Sequence, residues 1–185
     1  MEGVVSLLED ELVICNLGFP SRELYSIRDD PRHFYMLGSM GLVSSIALGL
    51  ALNTQRTVVA LDGDGSVLMN PGSLVTVAHQ NPHNLKWIVI DNEAYGSTGD
   101  QPTYTKSGTS LAHLAKAAGI GDTLEVSVED DIKEVLRKRI KCTELSFTVV
   151  KVKPGSRSSN PVPHDAVFIR NRFMDAAKST TTQKE

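Results

Sequence analysis

The run Val58-Val59-Ala60-Leu61-Asp62-Gly63-Asp64-Gly65-Ser66 passes directly from an apolar segment into an acidic, glycine-flanked turn. A second run, Trp87-Ile88-Val89-Ile90, ends the same way in Asp91-Asn92-Glu93-Ala94-Tyr95. Short apolar runs closed by turn residues read as buried strands. Two more stand at Leu12 to Cys15 and Phe147 to Val152. The stretches between them carry helical character, so strand and helix alternate. That alternation predicts right-handed crossovers and a single doubly wound parallel α/β sheet with helices on both faces.

The helices can be placed from their end signals. Ser21 stands where it can cap a helix running through Arg28, with Leu24 and Ile27 inward and Pro31 beyond its end. Gly41 to Asn53 is rich in Ala, Gly and Ser, and its small side chains permit close approach at the centre of the fold. Pro71 to Gln80 has proline near its first turn. Further helices are expected over Ser110 to Ala118, Glu129 to Arg139 and His164 to Ala177, with a loop over Lys153 to Pro163. Residues 1–177 read as one domain and 178–185 as a frayed polar tail.

A chain of 185 residues that is 41% hydrophobic can bury one substantial core. Its net charge of −3 argues against a nucleic-acid surface, which needs a basic stripe. The longest apolar stretch, Gly41 to Leu52, is too short for the roughly 20 residues of a membrane span, and no secretory leader opens the sequence. Cys15 and Cys142 match no metal spacing and read as two buried, reduced thiols of a cytoplasmic protein.

Ligands of open parallel sheets bind at the carboxyl ends of the strands, where strand order reverses. One crossover helix between the two opening runs brings Asp64 and Asn92, 28 positions apart, to the same edge. Magnesium takes about six oxygens, usually one or two protein carboxylates completed by phosphates and water. Asp64 can supply charge, Asn92 an amide oxygen and Ala94 a carbonyl. Gly63 and Gly65 permit close approach, and the amides of Gly65 and Ser66 can donate to phosphate at a helix start. A dinucleotide fingerprint starting at Gly63 needs glycine at position 68, which is Leu68, and no P-loop lysine pair follows a glycine at the required spacing. Alone, the turn reads equally well as a strand end with a solvated aspartate.

Gly38-Ser39-Met40-Gly41 stands directly before the small-residue helix. With it, the chain resembles the diphosphate-binding domain of thiamine diphosphate-dependent 2-oxoacid decarboxylases, in which Gly-Asp-Gly is followed after about two dozen residues by a pair ending in Asn. Asp91 departs from the usual Asn at the first place of that pair. The resemblance implies a magnesium ion on Asp64, Asn92 and the Ala94 carbonyl, and thiamine diphosphate against Gly38, Ser39, Met40, Gly63, Gly65, Ser66, Tyr95, Gly96 and Ser97. Gly38 would offer its carbonyl to the aminopyrimidine, and Met40 would be the apolar wedge that bends the cofactor. Ser21 would face the diphosphate if it is not simply a helix cap.

The wider set, Cys15 to Leu24 and Tyr95 to Thr103, is similar to the beta subunits of sulfopyruvate decarboxylases, and phosphonopyruvate decarboxylases carry a similar set. This implies decarboxylation of a small anionic 2-oxoacid, most simply 3-sulfopyruvate in coenzyme M biosynthesis. In such enzymes a glutamate on a separate pyrimidine-binding domain activates the cofactor, so the resemblance implies a partner alpha subunit and a hetero-oligomer. Two rival readings are a ferredoxin oxidoreductase beta subunit, which the two distant cysteines argue against, and a non-catalytic cofactor-binding subunit. Arg22 is a candidate for an anionic substrate or a structural ion pair. His33, His79 and His83 read as surface or capping residues, and His113 and His164 have no strong claim on the site.

Overall fold

A computed structural model describes residues 1–127, 131–155 and 159–179. Among them the chain forms α1 (Glu2–Val5), β1 (Leu12–Cys15), α2 (Phe19–Ile27), β2 (His33–Tyr35), α3 (Val43–Ala51), β3 (Val58–Gly63), α4 (Asp64–Met69), α5 (Gly72–Gln80) and β4 (Leu85–Asp91). There follow a small hairpin of β5 (Ala94–Tyr95) and β6 (Gln101–Pro102), then α6 (Leu111–Ala118), β7 (Thr123–Ser127), α7 (Ile132–Lys141), β8 (Ser146–Lys151) and α8 (Ala166–Lys178). Six strands make one sheet in the order β2-β1-β3-β4-β8-β7, every pairing parallel.

The central strands are apolar on both faces because both faces are covered. Leu12, Ile14, Val58, Ala60, Trp87 and Val89 pack into one core layer, while Val13, Cys15, Val59, Leu61 and Ile88 pack into the other. The alternation is the two-residue period of a strand expressed twice. Trp87 meets Phe147 edge to face, ring centroids 5.0 Å apart. The small-residue helix α3 packs on β3, with Val43, Ala47, Leu48 and Ala51 buried.

Beside the β5–β6 hairpin, the structure adds two strands to the four expected in the main sheet and revises several ends. β2 has only three residues, too few for a periodicity signal, and β7 (Thr-Leu-Glu-Val-Ser) is a half-buried edge strand. The helix expected from Ser21 begins at Phe19, with Gly18 at φ 78° as its cap residue and Pro20 in its first turn, so Ser21 lies inside the helix. The expectation for His33 as a surface or capping residue fails: it is 1% exposed and lies in β2. His79 and His83 are exposed as expected, and His113 is exposed too. Cys15 and Cys142 are free thiols, Cys15 buried and Cys142 half-buried. Glu129, the expected start of the seventh helix, and residues 180–185 of the expected tail lie outside the described residues. Among the described residues no helix is long and apolar enough to cross a membrane.

Candidate cofactor site

From β1 the chain moves outward to β2, then returns to β3 on the other side of β1, so strand order reverses between β1 and β3. Ligand crevices open at such a reversal. A cavity of about 380 Å³ lies there, with Asn16 beyond β1, Gly63 to Ser66 beyond β3, Asn92 and Ala94 beyond β4, and Lys153 beyond β8 on its wall.

Asp64 is the first residue of α4, its side chain carried to the sheet edge by the parallel pairing of β3 and β4. It is 2% exposed. The Thr103 hydroxyl donates to its Oδ2 at 2.5 Å, and Thr105 Oγ1 lies 3.2 Å from the same oxygen and 2.9 Å from Asp91 Oδ1. Each hydroxyl has one proton, so Thr103 serves Asp64 and Thr105 serves Asp91. Burial pushes the Asp64 carboxyl above its ordinary range, the Thr103 hydrogen bond opposes that, and the nearby Asp91 charge adds to it. A buried carboxylate raised in this way is one that a bound cation would hold ionised.

Asn92 follows β4 on a tight turn. Its Oδ1 accepts from the Ala94 amide at 3.2 Å, Asp91 Oδ1 accepts from the Glu93 amide at 3.1 Å, and Glu93 adopts φ 60°. Two side-chain-to-backbone bonds thus bend the strand end back and bring Asn92 and Ala94 to the cavity wall. Beside them the Tyr95 ring lies over Gly65. A Cβ at Gly65 would stand 2.3 Å from Tyr95 Cε1, so only glycine leaves room for the ring.

Ten of the thirteen residues proposed from sequence line this cavity: Met40, Gly63, Asp64, Gly65, Ser66, Asn92, Ala94, Tyr95, Gly96 and Ser97. Gly38 and Ser39 do not line it and are exposed to solvent next to Met40. Ser21 lies elsewhere: it is buried, and its hydroxyl donates to the Asn16 carbonyl at 2.7 Å, which ties the start of α2 to the end of β1. Arg22 is off the wall too, its guanidinium 5.6 Å from the Phe19 ring centroid. Sequence reasoning missed Thr103, Thr105 and Lys151, whose roles arise from long-range contacts that no local spacing announces.

The family model for "Thiamine pyrophosphate enzyme, C-terminal TPP binding domain" matches residues 17–152. The chain belongs to this family. It is 49% identical over 181 residues to sulfopyruvate decarboxylase subunit beta of Methanothermobacter thermautotrophicus, covering 98% of this chain and 95% of that one. It is 42% identical to the same-named subunit of Methanocaldococcus jannaschii, covering 92% and 90%. Phosphonopyruvate decarboxylase of Streptomyces viridochromogenes is 39% identical over 83% of this chain and 38% of its own length. Benzoylformate decarboxylase of Polynucleobacter necessarius shares the fold, with a TM-score of 0.64 at 23% identity over 84% of this chain; the present chain spans about a third of that structure, 33%.

The wall of this thiamine pyrophosphate enzyme domain fits a hard cation with a diphosphate. One buried carboxylate, a carboxamide and a carbonyl offer oxygen only, the donor set magnesium takes when phosphates complete its shell. Among the described residues no group of three or more His, Cys, Asp or Glu converges.

Proposed function

We propose that the chain is the diphosphate-binding beta subunit of a thiamine diphosphate- and magnesium-dependent decarboxylase that converts 3-sulfopyruvate to sulfoacetaldehyde and carbon dioxide. The observation that carries the reading is the convergence of Asp64 and Asn92 on one cavity, in a chain 49% identical along nearly its whole length to a subunit of that name. Coenzyme M biosynthesis in the cytoplasm is the setting that reaction implies.

Asp64, Asn92 and the Ala94 carbonyl would hold magnesium. Gly65, Ser66, Tyr95, Gly96 and Ser97 would surround the diphosphate, with Gly63 allowing its close approach. Gly38, Ser39 and Met40 would meet the pyrimidine end. The cofactor supplies an electron sink for the bond to the departing carboxylate. Thr103 orients the Asp64 carboxylate from behind, and the Tyr95 ring narrows the cavity mouth and limits water.

A partner alpha subunit is part of this reading. Gly38 and Ser39 are open to solvent, and Leu37, Leu42 and Met69 around them are exposed by 54%, 42% and 59%, an apolar rim that a second chain would cover. Phosphonopyruvate is the alternative substrate, favoured by the relatives that bear its name. The purified chain should be combined with its candidate partner and assayed against sulfopyruvate, phosphonopyruvate and pyruvate. Calorimetry with thiamine diphosphate, with and without magnesium, separates an enzyme subunit from a non-catalytic one. Absence of magnesium-dependent binding in the complex would refute the reading, as would sulfopyruvate turnover by the chain alone for its split-site part.

A further inference from the structure

Met40 is held between two residues in the left-handed region, Ser39 at φ 63° and Gly41 at φ 89°. A non-glycine residue there is strained, and such strain persists only where surrounding structure enforces it. A turn bond from the Leu42 amide to the Ser39 carbonyl, 3.1 Å, closes the segment locally, and a neighbouring helix holds it from outside. Gly41 donates its amide to Ser66 Oγ at 3.1 Å, and Asn70 Nδ2 donates to the Gly41 carbonyl at 3.0 Å. Both backbone groups of one residue are therefore gripped by the two ends of α4, which starts at Asp64. There is no slack in the grip, since a Cβ on Gly41 would stand 3.2 Å from Asn70 Cβ and 3.3 Å from Met69 Cβ.

The grip extends along the helices. Ser44 Oγ donates to Ser73 Oγ at 2.9 Å, and Ser73 Oγ in turn donates to the Asn70 carbonyl at 2.8 Å. Ser44, Ser66 and Ser73 are all buried, so these bonds are shielded from competing water. The segment that presents Met40 is thus fastened to the helix that begins with Asp64 rather than to its own strand.

We propose that Asn70 and Ser66 are positioning residues that act through Met40: by clamping Gly41 they fix the distance between the metal-side turn and the Met40 side chain, so that the two ends of a bound cofactor are gripped as one rigid unit. This rests on the thiamine diphosphate reading above. Neither residue needs to touch the cofactor through the atoms that form the clamp.

The test is a double-mutant cycle in the complex with the partner subunit, read as the dissociation constant of thiamine diphosphate at saturating magnesium by calorimetry. Asn70→Asp keeps the shape and removes the donor, and Asn70→Ala removes both. Loss of this partly buried hydrogen bond should weaken binding about tenfold in either variant. In a Met40→Ala background the same substitutions should have little further effect, because the group they position is gone. An effect of Asn70→Ala that is equally large without Met40, or no effect at all, would overturn the clamp and leave Asn70 as an ordinary helix-end residue. Ser66→Ala, which breaks the bond to the Gly41 amide together with the Ser66 hydrogen bond to Asp62, runs through the same cycle should the Asn70 variants fail to fold. A wild-type complex that does not bind the cofactor would instead remove the functional reading itself.

Discussion

The Lys151 ammonium lies 2.9 Å from Asp91 Oδ2 and 2.7 Å from Glu93 Oε1, so the last residue of β8 balances the two acids on either side of Asn92. Asp91 stands where the family pattern usually has Asn, and its side chain is 2% exposed. The extra charge is therefore matched by a cation on the neighbouring strand, across the pairing of Asp91 with Lys151. Although burial pulls the Lys151 pKa down, the hydrogen bonds it donates to Glu93 and Asp91 outweigh it and raise the pKa.

Lys151→Met leaves a buried carboxylate with only neutral donors, the Thr105 hydroxyl and the Glu93 amide. Removing one partner of a fully buried pair costs about 3 to 5 kcal/mol, and the 29% exposure of Lys151 reduces that to about 2 kcal/mol. For a chain of this length the thermal midpoint should fall by roughly 6 °C. Adding Asp91→Asn should restore most of it, since the amide needs no counter-charge. A Lys151→Met protein with an unchanged melting curve would show that the pair contributes nothing.

This pair marks the limit of what the sequence discloses. Strands β1, β3, β4 and β8 are legible because each carries a mostly apolar run buried on both faces. β2 and β7 are edge strands, where half-burial or short length erases the signal. In the same way Asp64 and Asn92 sit in local turn signatures that can be read by eye. Thr103, Thr105 and Lys151 reach the site from 39, 14 and 60 positions away from their acidic partners Asp64, Asp91 and Asp91, and an isolated Thr or Lys carries no sign of its destination.

Gly65 cannot accept a side chain while Tyr95 keeps its place. Gly65→Ala should drive the Tyr95 ring into the cavity and weaken thiamine diphosphate binding in the complex by more than tenfold, measured by calorimetry. The ring is the mobile end of a side chain, so the fold should tolerate the change. Tyr95→Ala placed on top of Gly65→Ala removes the clash, and binding should recover to that of Tyr95→Ala alone. Equal binding by Gly65→Ala and wild type would mean that the ring already moves freely.

His33 predicts an acid limb of stability. Burial pushes its pKa down to about 4, with the Asp30 charge opposing and Arg28 and Arg32 adding to the push. The unfolded chain takes up a proton near pH 6.5 that the native imidazole refuses until about 4. Its contribution to stability is thus present above pH 6.5 and lost as pH falls toward 4, by about 3 kcal/mol in all. Asp30, held near 2 by the Arg32 hydrogen bond despite its burial, acts only below pH 4. Asp62, pushed up to about 6 by burial with the Ser66 and Gly63 hydrogen bonds opposing, contributes the opposite slope across this window. The readout is therefore the difference between wild type and His33→Gln in denaturant titrations at pH 7 and pH 5. The variant should lose less stability than wild type between the two, and parallel losses would contradict the burial argument.

Thr103 and Thr105 stand behind Asp64, the proposed magnesium ligand, where partners of a metal ligand would fix its orientation without ligating. Thr103→Val keeps the volume and removes the hydrogen bond to Asp64 Oδ2. The carboxylate is then held less firmly, and with its largest opposing donor gone its pKa should climb further, so protons compete harder with the cation. Magnesium affinity, titrated calorimetrically at saturating thiamine diphosphate in the complex, should fall about tenfold at pH 7, within the 10- to 100-fold range such partners carry. The loss should deepen as pH is lowered, because protonated Asp64 offers no charge. Thr105→Val should produce a smaller loss, since its proton serves Asp91 rather than Asp64. The ordering is what tests the assignment of protons: a larger effect from Thr105 would mean that it, and not Thr103, is the donor that holds Asp64 in place.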